Sequence, residues 1–485
     1  MSLSAAEQYL LELINQSRLD PLGEAGAQGI NLNSGITAAM GGDIQTTPMQ
    51  VLAPNAQLHA AADEQTEYLL DTGNFTHTGE GGSSAGDRMI AAGFTSPITY
   101  RENLSASSGS LGNMEAVMQG HHDALYASPG HRAAIFDENQ TDIGISEQNG
   151  SFRGRNTSML TEVFAAQAGN RYVTGVAYTD SDNDDFYSIG EGLSGVTFQT
   201  TGSSTNSAAA GGYAIDADTG MTAVSIVRDG TTISQVSIDT SAGNAKLDLI
   251  ADGDGGYALA VSTTTTLVSG VDDVQLLGVG HQNLIGNDGD NRMEGNDGKN
   301  RLFGNDGDDD LFGGNGRDKM FGGAGDDYLS GGRGNDNLFG RAGNDVMIGS
   351  GGRDKLWGND GDDVLKGGAA RDKLFGGGGD DILRGHSGRD VIKGGQGNDM
   401  LFGGAGGDKF IFTSGQDTIR DFKDDVDTIV VNRAVINGSG STIDDLLDRG
   451  EIIGGNAVFD LDGSHQLTIR GVTDLEDLRD DLVIG

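Results

Sequence analysis

Twelve aspartates, Asp309, Asp318, Asp327, Asp336, Asp345, Asp354, Asp363, Asp372, Asp381, Asp390, Asp399 and Asp408, follow one another at intervals of nine residues. A carboxylate repeated on so strict a period is a ladder of hard oxygen ligands. The chain has no Cys, and no His keeps the same period, so the donor set selects Ca2+ over softer metals. A second acidic set, Asp180, Asp182, Asp184 and Glu191, occupies positions 1, 3, 5 and 12 of a twelve-residue loop, the ligand spacing of an EF-hand. Position 6 of that loop is Asp185 where Gly is usual, and its flanks alternate like strands. The expectation is therefore a calcium loop between strands.

The periodic aspartates are the sixth position of a nine-residue unit written fourteen times from Gly286 to Ile411, without insertion or deletion. Position 1 is Gly, position 4 is Gly except at Ala370, and position 6 is Asn291 and Asn300 in the first two units. Position 8 is always large and apolar, from Met293 to Phe410. A fixed period of this kind marks a solenoid. Glycines that tolerate positive φ let a six-residue turn curl its carbonyls inward, and the remaining three residues form a strand. A disordered Gly/Asp linker would have no reason to keep the apolar eighth position. The unit resembles the glycine-aspartate nonapeptide of RTX proteins. That resemblance implies a parallel β-roll in which two units make one coil, and units n and n+2 share a calcium ion on one edge.

The elements ahead of the array read differently. Ala6, Tyr9, Leu10, Leu13 and Ile14 fall at helical spacing, and a second helix is expected from near Pro54, carrying Leu58, Ala61, Ala62 and Leu69. Four short motifs follow in order: Phe75-Thr76-His77-Thr78-Gly79, Gly86-Asp87-Arg88-Met89, Arg101-Glu102-Asn103-Leu104 and Ser128-Pro129-Gly130-His131-Arg132. Strand-like segments at Ile143–Ile145 and Met159–Phe164 close the region. The order resembles the bacterial branch of the CAP superfamily, the SCP-like extracellular domain, an α-β-α sandwich. The resemblance implies a cleft holding His77, His131 and Glu102, with Glu115 or Asp123 as a second acid. Such a set could hold Zn2+ or another divalent ion with an open position, or position a water for hydrolysis. His59 matches no motif; His121 and His122 are adjacent and receive no role.

Four parts are expected: a CAP-like domain over 1–170, a β-sandwich module with its calcium loop over 171–280, the β-roll over 281–411, and a β cap over 412–485. The loop of the second part resembles the calcium loop of small β-sandwich modules in secreted and surface proteins. Gly415–Phe422 and Asp427–Val431 resemble the segment that caps RTX rolls, and the acidic tail to Gly485 fits a C-terminal signal for the type I secretion apparatus. The first residues show no basic and apolar leader, as that route would require. A net charge of −41 disfavours nucleic acid and anionic membrane. No apolar run reaches the ~20 residues that span a bilayer. The expectation is a secreted, calcium-dependent protein whose CAP domain binds an extracellular ligand or surface (glycan, lipid or protein). A metal-assisted peptidase is the alternative, although the chain has no His-Glu-x-x-His helix.

The outside of the roll carries its own pattern. Position 5 is acidic or Asn in odd-numbered units (Asp290, Asp308, Asp326, Asn344, Asp362, Asp380, Asn398) and mostly basic in even ones (Lys299, Arg317, Arg353, Arg371, Arg389). With position 8 inward, position 9 points outward. In even units it reads Phe303, Phe321, Phe339, Trp357 and Phe375, which predicts an aromatic ladder.

Overall fold

The computed structural model describes residues 2–252, 255–436 and 442–485. The chain forms two compact units, residues 1–280 and 281–485.

The first unit opens with helices α1 (Ala5–Leu19) and α2 (Pro21–Ala27), then a two-residue strand β1 (Ala53–Pro54) and α3 (Ala56–Thr72). After these come α4 (Ala85–Ala91), β2 (Thr99–Ser108), α5 (Met114–Ala127), α6 (Pro129–Ile135), β3 (Asp142–Phe152) and β4 (Arg155–Ala166). Local chemistry fixes the helix starts. Ser4 and Glu7 form a reciprocal capping box at α1, and Asn113 accepts from the backbone N–H of Ala116 at α5 (3.1 Å). Pro54 does not open α3: it lies in β1, and Asn55 caps the helix by accepting from Gln57 and Leu58.

The four strands form one sheet in the order β1-β3-β4-β2, parallel only between β1 and β3. Leu160 and Phe164 of β4 pack with Leu10, Ile14, Met118 and Leu125 from α1 and α5. The alternate residues Val163 and Ala165 pack with Leu58, Ala61 and Ala62 of α3. Helices on both faces of a sheet make an α-β-α sandwich. Gly144 of β3 permits the close approach of α3, because a Cβ there would fall on the Leu58 backbone.

Residues 171–280 continue the same unit as two sheets. One holds segments 212–216, 172–179, 245–251, 257–261 and 273–276; the other holds 204–206, 196–199, 221–228, 231–239 and 265–269. Phe198 and Tyr213 stack between them with centroids 3.5 Å apart, so the sheets face each other as a β-sandwich. Polar contacts tie the sandwich to the helices. Lys246 is buried between Glu12 of α1 (2.7 Å) and Asp248, and Asn244 Nδ2 donates to Thr141 O (2.8 Å).

The second unit is the roll. Through the repeats the strands pair in parallel with the residue eighteen positions on, as in Leu302 with Met320, Leu338 with Leu356 and Leu374 with Ile392. Two nonapeptides therefore make each coil. The position-8 side chains are fully buried from Met293 to Ile392, and Leu401 and Phe410 nearly so. The coils continue past Ile411. Segment 416–419 pairs with 400–405, and 428–431 pairs with 409–412. The two ends are then covered by strand 466–470 from an antiparallel meander and by the terminal strand 482–484. Covering the last coil satisfies backbone groups that an open solenoid would expose.

Candidate functional site

The roll arranges its aspartates as a continuous internal ladder. Asp327 Oδ1 accepts from the backbone N–H of Asp309 (2.9 Å), Asp345 from Asp327 (2.9 Å), and so on along both sides at a spacing of eighteen. The other oxygen has no partner. Oδ2 of each position-6 aspartate from Asp309 to Asp408 is buried without a hydrogen bond. A buried carboxylate oxygen left bare is costly unless a cation meets it. Burial lifts the carboxyls of Asp345 and Asp381 to about 8, and neighbouring aspartates add to the shift while the backbone N–H bond opposes it. From Gly307 to Gly406 the position-4 glycines sit at positive φ, such as +132° at Gly325, where a Cβ would strike the carbonyl of Gly307 one coil back. Ala370 adopts φ +80° despite its methyl group. Bare carboxylates beside inward carbonyls suit Ca2+.

Sequence reading stopped the ladder one coil early. Asp417 Oδ1 accepts from the backbone N–H of Asp399, Asp427 Oδ1 from Asp408 (2.8 Å), and Asp417 Oδ2 is again buried and bare. Gly415, Asp417 and Ile419 hold positions 4, 6 and 8 of a further unit, a signal hidden because Phe412 and Thr413 replace its leading glycines.

The loop of the β-sandwich folds around Asp180. Its two oxygens accept from the backbone N–H groups of Asp184 and Asp185 (3.3 Å each). Asp185 takes φ +58°, the conformation that Gly usually provides at position 6. Asp180, Asp182 and Asp184 bring oxygens within 4.8 Å of one another. Glu191 stays out of that group. Its Oε1 accepts from Ser181 N and Oγ (2.8 and 2.6 Å), and its Oε2 from Ser188 N (2.8 Å).

In the CAP-like cleft, His77 Nδ1 lies 2.9 Å from Glu102 Oε1, and Glu102 Oε2 accepts from Arg88. His77 is 58% exposed and Glu102 4%. Neither acid offered as a fourth member turns toward them. Glu115 accepts from the backbone N–H of Ile189 (2.9 Å), and Asp123 from Gln28 and Gln119 (2.7 and 2.8 Å). His131 forms one wall of an open groove of about 470 Å³, with Phe75, Leu104, Leu125 and Phe152 as its apolar surface and Ser105, Ser128 and Arg153 as polar points. Burial, then the neighbouring His77, lowers the His131 pKa. Asn103 holds the loop by donating to His131 O (3.2 Å) and to Glu162 (3.0 Å). Arg132 is structural: it is buried and donates to the carbonyls of Leu32, Tyr126 and Ser34.

The two unassigned histidines of α5 are both buried. His121 bridges Ser105 (2.8 Å) and Ser158 (2.9 Å), and Ser158 donates to Glu147 (2.6 Å). Ser158 spends its single proton on Glu147, so it accepts from His121 Nε2–H, and Nδ1 is left to accept from Ser105. His122 faces Ser17 (3.1 Å) and Glu24 (3.5 Å).

These features define a calcium-binding repeat protein with an α-β-α domain ahead of the repeats. Comparison with known proteins agrees. Residues 11–161 match the CAP family, described as the cysteine-rich secretory protein family, although this chain has no Cys. Residues 285–320, 321–356, 357–392 and 384–419 match four copies of the RTX calcium-binding nonapeptide repeat. The chain thus carries a CAP domain followed by RTX repeats, binds Ca2+ through them, and is of the secreted kind. No curated protein matches it. Two similar solved structures are an extracellular SCP-domain protein from Bacillus anthracis str. Ames and the extracellular lipase LipA from Serratia marcescens. The first is 20% identical with TM-score 0.20, over 24% of this chain and 35% of that one. The second is 22% identical with TM-score 0.23, over 44% and 40%. The chain therefore spans well under half the length of either. Among the described residues no helix is long and apolar enough to cross a membrane.

Proposed function

We propose that this protein is exported by a type I apparatus, folds its repeats on external Ca2+, and uses the groove beside His131 to bind an extracellular ligand. The four-part division at 170, 280 and 411 belongs to the same proposal. We assign Ca2+ in the roll to Asp309 through Asp408, spaced by nine, and to Asp417. In the sandwich loop we assign it to Asp180, Asp182 and Asp184, with Glu191 buttressing the loop from behind. The ion supplies the positive charge that the buried carboxylate oxygens lack.

The observation that carries the binding reading is the groove wall. Phe75, Leu104, Leu125 and Phe152 give it apolar area, while His131, Ser105, Ser128 and Arg153 give it a few polar points, the usual make-up of a small-molecule site. The cleft does not complete a metal tetrad. Both Glu102 oxygens are engaged, one by the Arg88 guanidinium, and Glu115 and Asp123 turn elsewhere. Zn2+ held by Glu102 itself would require that carboxylate to give up Arg88 or His77, although its bond to His77 Nδ1 leaves Nε2 open.

The test is metal analysis of the calcium-loaded chain, with a lipid and small-molecule binding screen and an ester and peptide hydrolysis screen, wild type against His131→Ala. Calcium alone, with ligand binding weakened about tenfold by the substitution, supports the reading. Stoichiometric zinc, or hydrolysis abolished in His131→Ala, overturns it in favour of the peptidase.

A further inference from the structure

The two sides of the roll are electrically opposite. Outside the buried sixth position, the seven odd units carry ten acids against four bases, and the seven even units carry twelve bases against one acid, Asp297. The coil geometry keeps these sets apart, because odd and even units alternate between opposite edges and pair only with their own kind eighteen residues on. On the even edge Lys299, Arg317, Arg353, Arg371 and Arg389 are all exposed. Beside them at position 7, Arg301 pairs across strands with Lys319, and Lys355 with Lys373.

Like charges directly opposite across strands are destabilising, and among the described residues none of these nine cations forms an ion pair. On the odd edge the same backbone positions instead close a ladder. Asp290, Asp308, Asp326, Asn344, Asp362 and Asp380 each accept the backbone N–H of the residue one coil on, at 2.7–2.9 Å. Position 5 can therefore support the roll, and five of the even units place a cation there instead. In a chain of net charge −41, a periodic cationic ridge is a surface suited to a polyanion.

We propose that the even edge of the roll is a binding ridge for a linear acidic polysaccharide lying along the solenoid axis. Cation pairs stand at Lys299/Arg301, Arg317/Lys319, Arg353/Lys355 and Arg371/Lys373, on coils roughly 4.8 Å apart, with a break at Asn335 and Asn337. That interval is of the order of one sugar in an extended chain, so a glycan with about one anionic group per sugar meets two runs of two cation pairs. The face next to the ridge adds little sugar stacking. Phe303, Phe321, Phe339, Trp357 and Phe375 lie ring on ring at 4.4–5.7 Å with interplanar angles of 2–16°, so each ring face is covered by its neighbour. Charge, not stacking, carries the recognition, and the ridge is independent of the groove at His131.

The experiment uses the full chain in millimolar Ca2+ with chondroitin sulfate oligosaccharide as probe, neutral dextran of equal length as control, and phosphatidylserine vesicles and duplex DNA as competing polyanions. Binding to chondroitin sulfate is expected at about 50 mM salt and should weaken steeply with added salt. The pair Arg353→Glu/Arg371→Glu should lower it about tenfold or more, with Trp357 emission unchanged and Ca2+ held no more weakly, since acids beside Asp354 and Asp372 favour the ion. The pair Lys366→Glu/Arg384→Glu, cations of the odd units, should leave it intact. Equal loss from both pairs, no binding to chondroitin sulfate, or a preference for vesicles or DNA would overturn the proposal.

Discussion

Glu162 illustrates what a single buried group does to this fold. It lies on β4 between Leu160 and Phe164, the residues that face α1 and α5, and one of its oxygens has no partner. Burial lifts its carboxyl from the ordinary 4.5 to about 7, against the Asn103 hydrogen bond and the nearby His122, which lower it. A folded value above the unfolded one means that the stabilisation is complete below about pH 4.5 and is lost as pH rises through 7. Glu162→Gln removes that loss. The variant should match wild type near pH 5 and exceed it at pH 8 by about 3 kcal/mol, judged from the shift. Urea unfolding followed by helical circular dichroism at the two pH values checks this; a variant equally destabilised at both would show that the carboxylate is needed charged. His121 and His122 belong to the same scale. Neighbours on a helix diverge by about 100°, yet α5 is covered on two sides, by β2 and β4 and by α1 and α2, so both rings are buried. Adjacency alone could not reveal that.

At the scale of elements, legibility followed constraint. Position 8 of every repeat read correctly because a coil of eighteen residues leaves no freedom at that site. Asp417 and Asp427 were missed because the cap relaxes the glycines while keeping the carboxylate. The CAP motifs named Glu102 and His131, which the structure holds on β2 and at the start of α6, but which groups each meets depends on Arg88 and Asn103, and spacing does not encode that. The spacing of Asp180, Asp182 and Asp184 brings their oxygens within 4.8 Å of one another, whereas it does not encode that Glu191 accepts from Ser181 and Ser188.

Two element-scale predictions follow from this geometry. Asp182→Asn/Asp184→Asn should remove one calcium ion from the full chain, read as one equivalent fewer in equilibrium dialysis; an unchanged stoichiometry would refute the loop site. Phe339 is stacked between Phe321 and Trp357 at 5.0 and 4.4 Å, with Lys319 5.4 Å over its ring. Phe339→Ala should cost the roll about 2 kcal/mol, seen as a higher calcium midpoint and a red-shifted Trp357 emission. An unmoved midpoint would mean that the ladder contributes no stability.

On the scale of the molecule, the two compact units should respond differently to calcium. In the repeats, residues 286–411, the core is a single row of apolar residues per sheet, accompanied by carboxylates whose Oδ2 atoms are buried and bare. The glycines of this unit carry a large ordering entropy. Removing the ion leaves charges that repel along the ladder at one-coil spacing, and too little apolar area to offset them. Residues 1–280 hold the helices α1 to α6 and a sandwich core built without that ladder. The only Trp of the chain, Trp357, lies in the roll, whereas nearly all α-helix lies in the first unit, so two optical signals separate the units in the intact protein. A chelator should shift Trp357 emission to that of a solvated indole and raise its quencher access, while the helical signal at 222 nm persists; millimolar Ca2+ should restore the emission cooperatively. Such a chain could thread through an export channel in low calcium and fold its repeats outside. A Trp357 signal unaffected by chelation would show that the roll stands without its ions, and simultaneous loss of both signals would show that the first unit depends on them as well.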